Sequence, residues 1–229
     1  MILKPLKGVT YFLISLAALM PSIASAQECG GKAKCIFVLG NSITRHGPSA
    51  GIDWVGNWGM AATTAENDYV TQLVKLLTDK SNGEIWSADV QSGGVLETTP
   101  EKFKPSDSAI RLAQKADVVV VELGDNFTLE GGNIAAFTNA YTRTLNALRP
   151  AHGELACVST WWASAPKDKI IEQSCRGSGG TYVDISRLSK SPENVAGNQQ
   201  SIVNKGVAAH PGDSGMKAIA DRIFKSVRR

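Results

Sequence analysis

Four consecutive valines, at 118–121, limit the possible folds of this chain more than any other stretch. Branching at Cβ favours extended backbone. Successive side chains of a strand point to opposite faces, so an unbroken apolar run needs apolar cover on both. That is the setting of a central strand in a parallel sheet flanked by helices. The rest of the chain alternates accordingly. Residues 35–39 read as a first strand that stops at Gly40. Helical spacing follows over 63–81 through Tyr69, Leu73, Leu76 and Leu77, then a second strand over 84–90. A helix starts at Pro105-Ser106-Asp107 and runs to Ala116, before the valines. Beyond them come a helix over 133–148 stopped by Pro150, a strand over 154–158, a short helix over 167–173, a strand over 181–185 and a closing helix over 214–227. Such alternation implies an α/β fold with helices on both faces of the sheet. The expected architecture is a three-layer flavodoxin-like sandwich, a parallel five-stranded sheet in the order 2-1-3-4-5, with its switch point beside strand 1. That order sets the ends of strands 1, 2 and 3 next to one another.

A chain of 229 residues with 43% hydrophobic content supports one sizeable core. No repeat, low-complexity tract or linker divides it, so residues 27–229 are expected to form a single domain. Residues 1–26 read as a signal peptide: Lys4 and Lys7, an apolar run from about Tyr11 to Met20, then Ala24-Ser25-Ala26 as a cleavage site. The run is short for a membrane span. Cleavage after Ala26 lowers the net charge from +3 to +1, and no charge run suggests nucleic acid or a polybasic membrane contact. The expected location is secreted or periplasmic, with no stable membrane insertion. Four cysteines suit an oxidising compartment. Pairing 29–35 and 157–175 needs the least chain reorganisation, although three connectivities are open. Their spacing matches no zinc signature and no C-x-x-C motif, so no metal or cofactor is called for.

Ser42 follows strand 1 by two residues, and in open α/β sheets ligands bind outside the carboxyl ends of strands. Alone, Asn41-Ser42 reads as a turn or a cap. Downstream residues change the balance. Serine hydrolysis needs a nucleophile, a base and donors aimed at the developing oxyanion. Ser42 can supply the first. The Ser42 and Gly94 backbone N–H groups and the Asn126 side-chain amide can supply the donors, with Gly93 an alternative to Gly94. The base should be a histidine. Three exist: His46, His152 and His210. His210 precedes Pro211, which pushes it toward an extended conformation and holds the chain. His152 lies before strand 4, at the edge away from the strand C-termini. His46, in Arg45-His46-Gly47-Pro48, reads as a loop or substrate-contact residue.

These pieces resemble the blocks of SGNH (GDSL-type) hydrolases. Gly40-Asn41-Ser42-Ile43-Thr44 is similar to the first block, Ser92-Gly93-Gly94 to the second and Gly124-Asp125-Asn126 to the third. His210-Pro211, with Gly212-Asp213 and Gly215-Met216, is similar to the fifth. The resemblance spans residues 35–227. It implies a serine esterase in which Ser42 attacks, His210 is the base, and Ser42, Gly94 and Asn126 form the oxyanion hole. Three positions depart from the pattern: Asn41 and Phe127 stand where the family usually has Asp, and so does Val207, three residues before the histidine. An orienting carboxylate holds the imidazole tautomer. Without it, a backbone carbonyl near Val207 can orient His210 in a Ser–His dyad, the favoured option. Otherwise Asp213 folds back toward the ring, or the protein is an inactive relative. Asp213 also reads as the N-cap of the closing helix.

The loop after Ser42 carries Trp54 and Trp58 among glycines, and Trp161-Trp162 follows strand 4. Indole faces suit sugar rings. Together with His46, Trp54, Trp58 and Trp161 are the candidate substrate contacts. Export and an aromatic rim suggest a short-chain ester, with an O-acetyl carbohydrate or acylated polysaccharide as substrate. An acyltransferase using Ser42, or a non-catalytic carbohydrate-binding relative, is the competing expectation.

Overall fold

Residues 118–121 lie in the middle strand of a five-stranded parallel sheet in the computed structural model, which describes Cys29 and residues 33–227. The expected signal peptide lies outside the described residues. The strands are β1 (Lys34–Gly40), β2 (Trp86–Ser92), β3 (Val118–Glu122), β4 (Glu154–Val158) and β5 (Thr181–Val183). Their order is β2-β1-β3-β4-β5, the expected one. The helices are α1 (Tyr69–Lys80), α2 (Gly94–Thr98), α3 (Asp107–Lys115), α4 (Ile134–Leu148), α5 (Ala165–Gly177), α6 (Lys205–Ala208) and α7 (Asp213–Ser226).

The valines divide between two cores. Val119 and Val121 pack with Phe37, Leu39, Phe137, Tyr141, Leu145 and Ile171, under α4 and α5. Val118 and Val120 pack with Ile36, Val38, Tyr69, Leu73, Ile219 and Ile223, under α1 and α7. All four are buried, and each such side chain stabilises by roughly 1.5–3 kcal/mol relative to exposure. Register then places the site. Gly40 pairs with both Ser92 and Glu122, so the chain leaves β1, β2 and β3 at one level.

Element bounds differ from the sequence reading for local reasons. The first helix begins at Tyr69 rather than near 63, because the Asp68 carboxylate accepts from Thr71 N–H (2.7 Å) and caps it there. Strand β2 lies two residues later than expected. Asn82 and Gly83 both have positive φ and carry a turn that ends in Lys34 N–H donating to Ile85 O (2.9 Å). Helix α5 is longer at both ends. Pro166 is tolerated in its first turn, and its last turn carries Cys175, which is bonded to Cys157. Cys29 is bonded to Cys35, so both disulfides follow the local pairing. Gly212 rather than Asp213 is the N-cap of α7. Three 3₁₀ turns within 188–198, and α6, were too short to leave a periodic signal.

Candidate active site

Strand β1 delivers Ser42 through one tight turn. Arg45 N–H donates to Asn41 O (3.0 Å), and Ile43 N–H donates to the Asn41 side chain (2.9 Å). The Thr44 side chain occupies the space a Cβ on residue 40 would need, so the turn requires Gly40. Ser42 is left half-buried at the strand end. Met60 N–H donates to its carbonyl (2.9 Å), which fastens the returning loop.

The histidine arrives from the other end of the chain. Asn204 caps α6, its side chain accepting from Val207 N–H (3.1 Å). His210 N–H then donates to Val207 O, and His210 O accepts from Ala196 N–H, both at 3.0 Å. Its Nδ1 donates to the carbonyl oxygen of Gly206 (2.7 Å). That fixes the tautomer and leaves Nε2 as an acceptor, 2.9 Å from Ser42 Oγ. The Trp162 ring meets the imidazole edge-on, centroids 5.0 Å apart at 87°. Burial lowers the His210 pKa to about 4, the Gly206 hydrogen bond partly opposing it and His46 adding to it. The imidazole is thus neutral at working pH and able to take a proton from Ser42.

The candidate donor amides differ in what already holds them. Gly93 N–H is committed to Gly40 O (2.8 Å). Gly94 is the first residue of α2, where an N–H has no intrahelical acceptor. This favours Gly94 over Gly93. Asn126 is exposed, and its Nδ2 donates to Glu97 Oε2 (2.7 Å), leaving a second hydrogen on the same nitrogen.

Several sequence-nominated residues lie elsewhere or serve the scaffold. Asp213 does not reach His210. Its carboxylate accepts from Thr63 N–H (2.8 Å), Thr63 Oγ1 (2.7 Å) and Asn67 Nδ2 (3.0 Å), holding the loop that enters α1. Trp161 is fully buried and donates to Ala209 O (3.1 Å), so it supports the histidine segment from within rather than forming a rim. Its neighbour Trp162 is half-buried and packs against His210. Trp54 is buried, donates to His46 O (2.9 Å) and packs edge-on against Trp58 (5.7 Å, 72°). Trp58 is half-buried, donates to Ala62 O (2.8 Å), and borders two cavities of about 380 and 290 Å³. His46 is half-buried, with Nδ1 2.6 Å from Gly47 O. His152 is exposed beside a cavity at the opposite end of the strands.

Beneath the site lies a carboxyl cluster that periodicity could not reveal. Glu97, Glu122 and Asp125 are all buried. Glu122 ends β3, accepts from Thr44 Oγ1 (3.0 Å), and is reached by Asn41 Nδ2 at 3.5 Å. Burial, then the negative charges of Asp125 and Glu97, push its pKa well above the usual carboxylate range. In its protonated form it can donate to Asp125, whose Oδ2 has no other partner. Asp125 Oδ1 accepts from Trp162 N–H (3.1 Å), and burial pushes Asp125 up to about 6. From the sequence, Glu97 and Asp125 are expected near the pocket mouth without a role, and Glu122 shows only as a charged residue closing a run of valines. Among the described residues no group of histidine, cysteine or carboxylate side chains has a metal-holding arrangement, and no helix is long and apolar enough to cross a membrane.

No protein-family profile and no curated protein sequence matches this chain. Solved structures do. TesA superposes with a TM-score of 0.55 at 16% identity, over 85% of this chain and 98% of its own. The psychrotrophic esterase EstA from Pseudoalteromonas sp., in a structure inhibited by monoethylphosphonate, gives 0.54 at 14%, over 85% and 97%. A two-domain esterase active on acetylated mannans, co-crystallised with mannopentaose, gives 0.55 at 14%, over 84% of this chain and 48% of that one. The likeness is one of fold, and the fold is that of the SGNH hydrolases.

Proposed function

We propose that this chain is an exported serine esterase that removes short acyl groups from hydroxyl-rich alcohols, with Ser42 as nucleophile and His210 as base. The observation that carries this reading is Ser42 Oγ at 2.9 Å from a His210 Nε2 whose Nδ1 hydrogen is already committed to Gly206 O. His210 takes the Ser42 proton as Oγ attacks the acyl carbonyl. The tetrahedral oxyanion receives hydrogen bonds from Ser42 N–H, Gly94 N–H and Asn126 Nδ2. His210 returns the proton to the departing alcohol oxygen. Water, activated by the same imidazole, then releases the acid and restores Ser42.

Two features support the substrate class. The cavity beside Asn126, about 360 Å³, has Pro100 and Phe127 in its lining but more polar groups, among them Glu97, Glu101, Glu130 and Asn133, which suits a hydroxylated group better than a long acyl chain. A protein of the same fold acts on acetylated mannans. Two disulfides agree with export of residues 27–229 as one domain behind an N-terminal signal.

The test is turnover of aryl esters of increasing acyl length by wild type, Ser42→Ala and His210→Ala, followed by acetate release from acetylated oligosaccharides. Wild-type turnover that is greatest for acetyl and lost in both variants is the expected result. Turnover that survives in Ser42→Ala would end the reading.

A further inference from the structure

Glu97 lies three residues beyond Gly94 and is 2% exposed. Its carboxylate accepts four N–H groups. Oε1 takes Asn41 Nδ2 (3.2 Å), Gly124 N–H (2.6 Å) and Asn126 N–H (3.2 Å); Oε2 takes Asn126 Nδ2 (2.7 Å). These donors come from the segments that leave β1 and β3, while Glu97 itself is on the helix that follows β2. Gly124 meets the carboxylate with φ +136°, a conformation that favours glycine, and a Cβ there would crowd Ile171 and Thr160. A buried carboxylate is tolerated only when its lone pairs are filled. All four donors reach it only when the three segments stand in one mutual arrangement.

We infer that Glu97 is a positioning residue for the proposed reaction: it holds together the three strand-end segments that carry Ser42, Gly94 and Asn126, and it turns the Asn126 amide so that nitrogen rather than oxygen serves the oxyanion. The argument turns on Asn126. Its side chain is exposed, and Glu97 is its hydrogen-bond partner among the described residues. A carboxylate accepts and cannot donate, so it selects Nδ2 over Oδ1 as the atom facing it. Without that partner, Asn126 would present Oδ1 to the oxyanion as readily as Nδ2, and the contact would change sign from attraction to repulsion. Asn41 is held by the same Oε1, and its side-chain oxygen receives Ile43 N–H, so the turn around Ser42 is tied to the same group.

This inference rests on the serine-esterase reading, and the experiment tells the two apart. Wild-type aryl acetate turnover that Ser42→Ala abolishes upholds the reading whichever way Glu97 falls. Glu97→Gln keeps shape but replaces one acceptor by an NH₂ group facing N–H donors; Glu97→Asp keeps the charge on a shorter stem. We expect Glu97→Gln to lower kcat about 10²-fold, the scale of one oxyanion donor, with KM within threefold of wild type. Glu97→Asp should recover part of that loss, and it carries the test if Glu97→Gln does not fold. Reaction with a p-nitrophenyl alkylphosphonate reads the oxyanion site directly. Ser42 Oγ bonds to phosphorus, p-nitrophenolate leaves, the serine proton passes to His210, and the phosphoryl oxygen takes the oxyanion's place. Its second-order rate constant should fall in parallel with kcat. Combined with Asn126→Ala, Glu97→Asp should lose less than the product of the single effects. The inference is overturned if folded Glu97→Gln keeps kcat within threefold, if Glu97→Asp does so where Glu97→Gln does not fold, if the loss is in KM alone, or if the losses with Asn126→Ala multiply.

Discussion

His210 Nδ1 donates to Gly206 O at 2.7 Å, so the second hydrogen bond of the imidazole goes to backbone and not to a carboxylate. A carbonyl fixes the tautomer as an aspartate would, but it brings no full negative charge to stabilise an imidazolium. Burial is unopposed by an ion pair, and the pKa falls to about 4. The sign of the consequence follows. A base works when unprotonated, so lowering its pKa extends activity toward acid. The acid limb of kcat/KM is expected near pH 4 rather than near the ordinary histidine value of about 6.5. Asp125, pushed up to about 6, contacts Trp162 beside the ring and can add a weaker inflection there. Asp125→Asn should remove the inflection near 6 and leave the one near 4. A pH–rate profile from pH 3.5 to 8 for both proteins checks this, and a single limb near 6.5 would contradict it.

Val207 occupies the place where sequence comparison looks for the orienting aspartate, yet restoring that residue should not restore a triad. Its side chain is buried with Trp54, Met60, Ala61 and Ala196. Val207→Asp would put a carboxylate into that apolar cluster without a partner. It is expected to destabilise by about 3 kcal/mol or more, seen in urea unfolding, with kcat equal to wild type or lower. A gain in kcat would show that the new carboxylate reaches the ring.

How far the sequence could be read depended on whether a residue's role was local or relational. Val118 to Val121 announced the central strand because burial on both faces leaves a contiguous apolar signature. His210 stood out because Pro211 restricts the backbone beside it, and Ser42 because it follows the end of a strand by two residues and the downstream blocks match it in order. Glu97 carries no such mark. In the sequence it is a glutamate after Val95 and Leu96, expected near the pocket mouth but without a role, and only the parallel register of β1, β2 and β3 brings four N–H groups to it. Trp161 and Trp162 show the limit most clearly. Adjacent side chains point opposite ways, one into the core and one toward His210, and composition cannot say which. Asp213, an alternative orienting group only through proximity in sequence, lies three residues from His210 but is turned by the start of α7 toward Thr63 and Asn67.

That placement separates fold from chemistry at Asp213. Asp213→Ala removes three hydrogen bonds to a half-buried carboxylate that fastens residues 63–67. Partial solvent access reduces their worth, so a loss of about 1–2 kcal/mol is expected. Turnover should stay within about twofold of wild type, because no His210 atom loses a partner. Thermal unfolding and kcat measured on one preparation check both halves. A hundredfold fall in kcat would return Asp213 to the catalytic group.

Asn126 gives the most discriminating pair of substitutions, because its Nδ2 donates to Glu97 and is also the proposed side-chain donor to the oxyanion. Asn126→Ala deletes one oxyanion donor and should lower kcat by ~10²–10³. It also strips Glu97 Oε2 of its donor, but position 126 is exposed and water can replace the amide, so the stability loss should be only about 1 kcal/mol. Asn126→Asp keeps the shape but sets two carboxyl groups about 3 Å apart, and like charges at that distance cannot both be ionised without cost. The folded form would therefore bind a proton that the unfolded chain releases at neutral pH. Stability then rises as pH falls toward 5, opposite to the usual loss for a carboxylate held by donors. Turnover in Asn126→Asp should be no better than in Asn126→Ala at pH 7, since an added negative charge opposes an oxyanion. Urea unfolding of both variants at pH 5 and 7, beside kcat at each pH, separates the effects. Asn126→Asp equally stable at the two pH values, with near-normal kcat, would remove both the Glu97 contact and the oxyanion role from this residue.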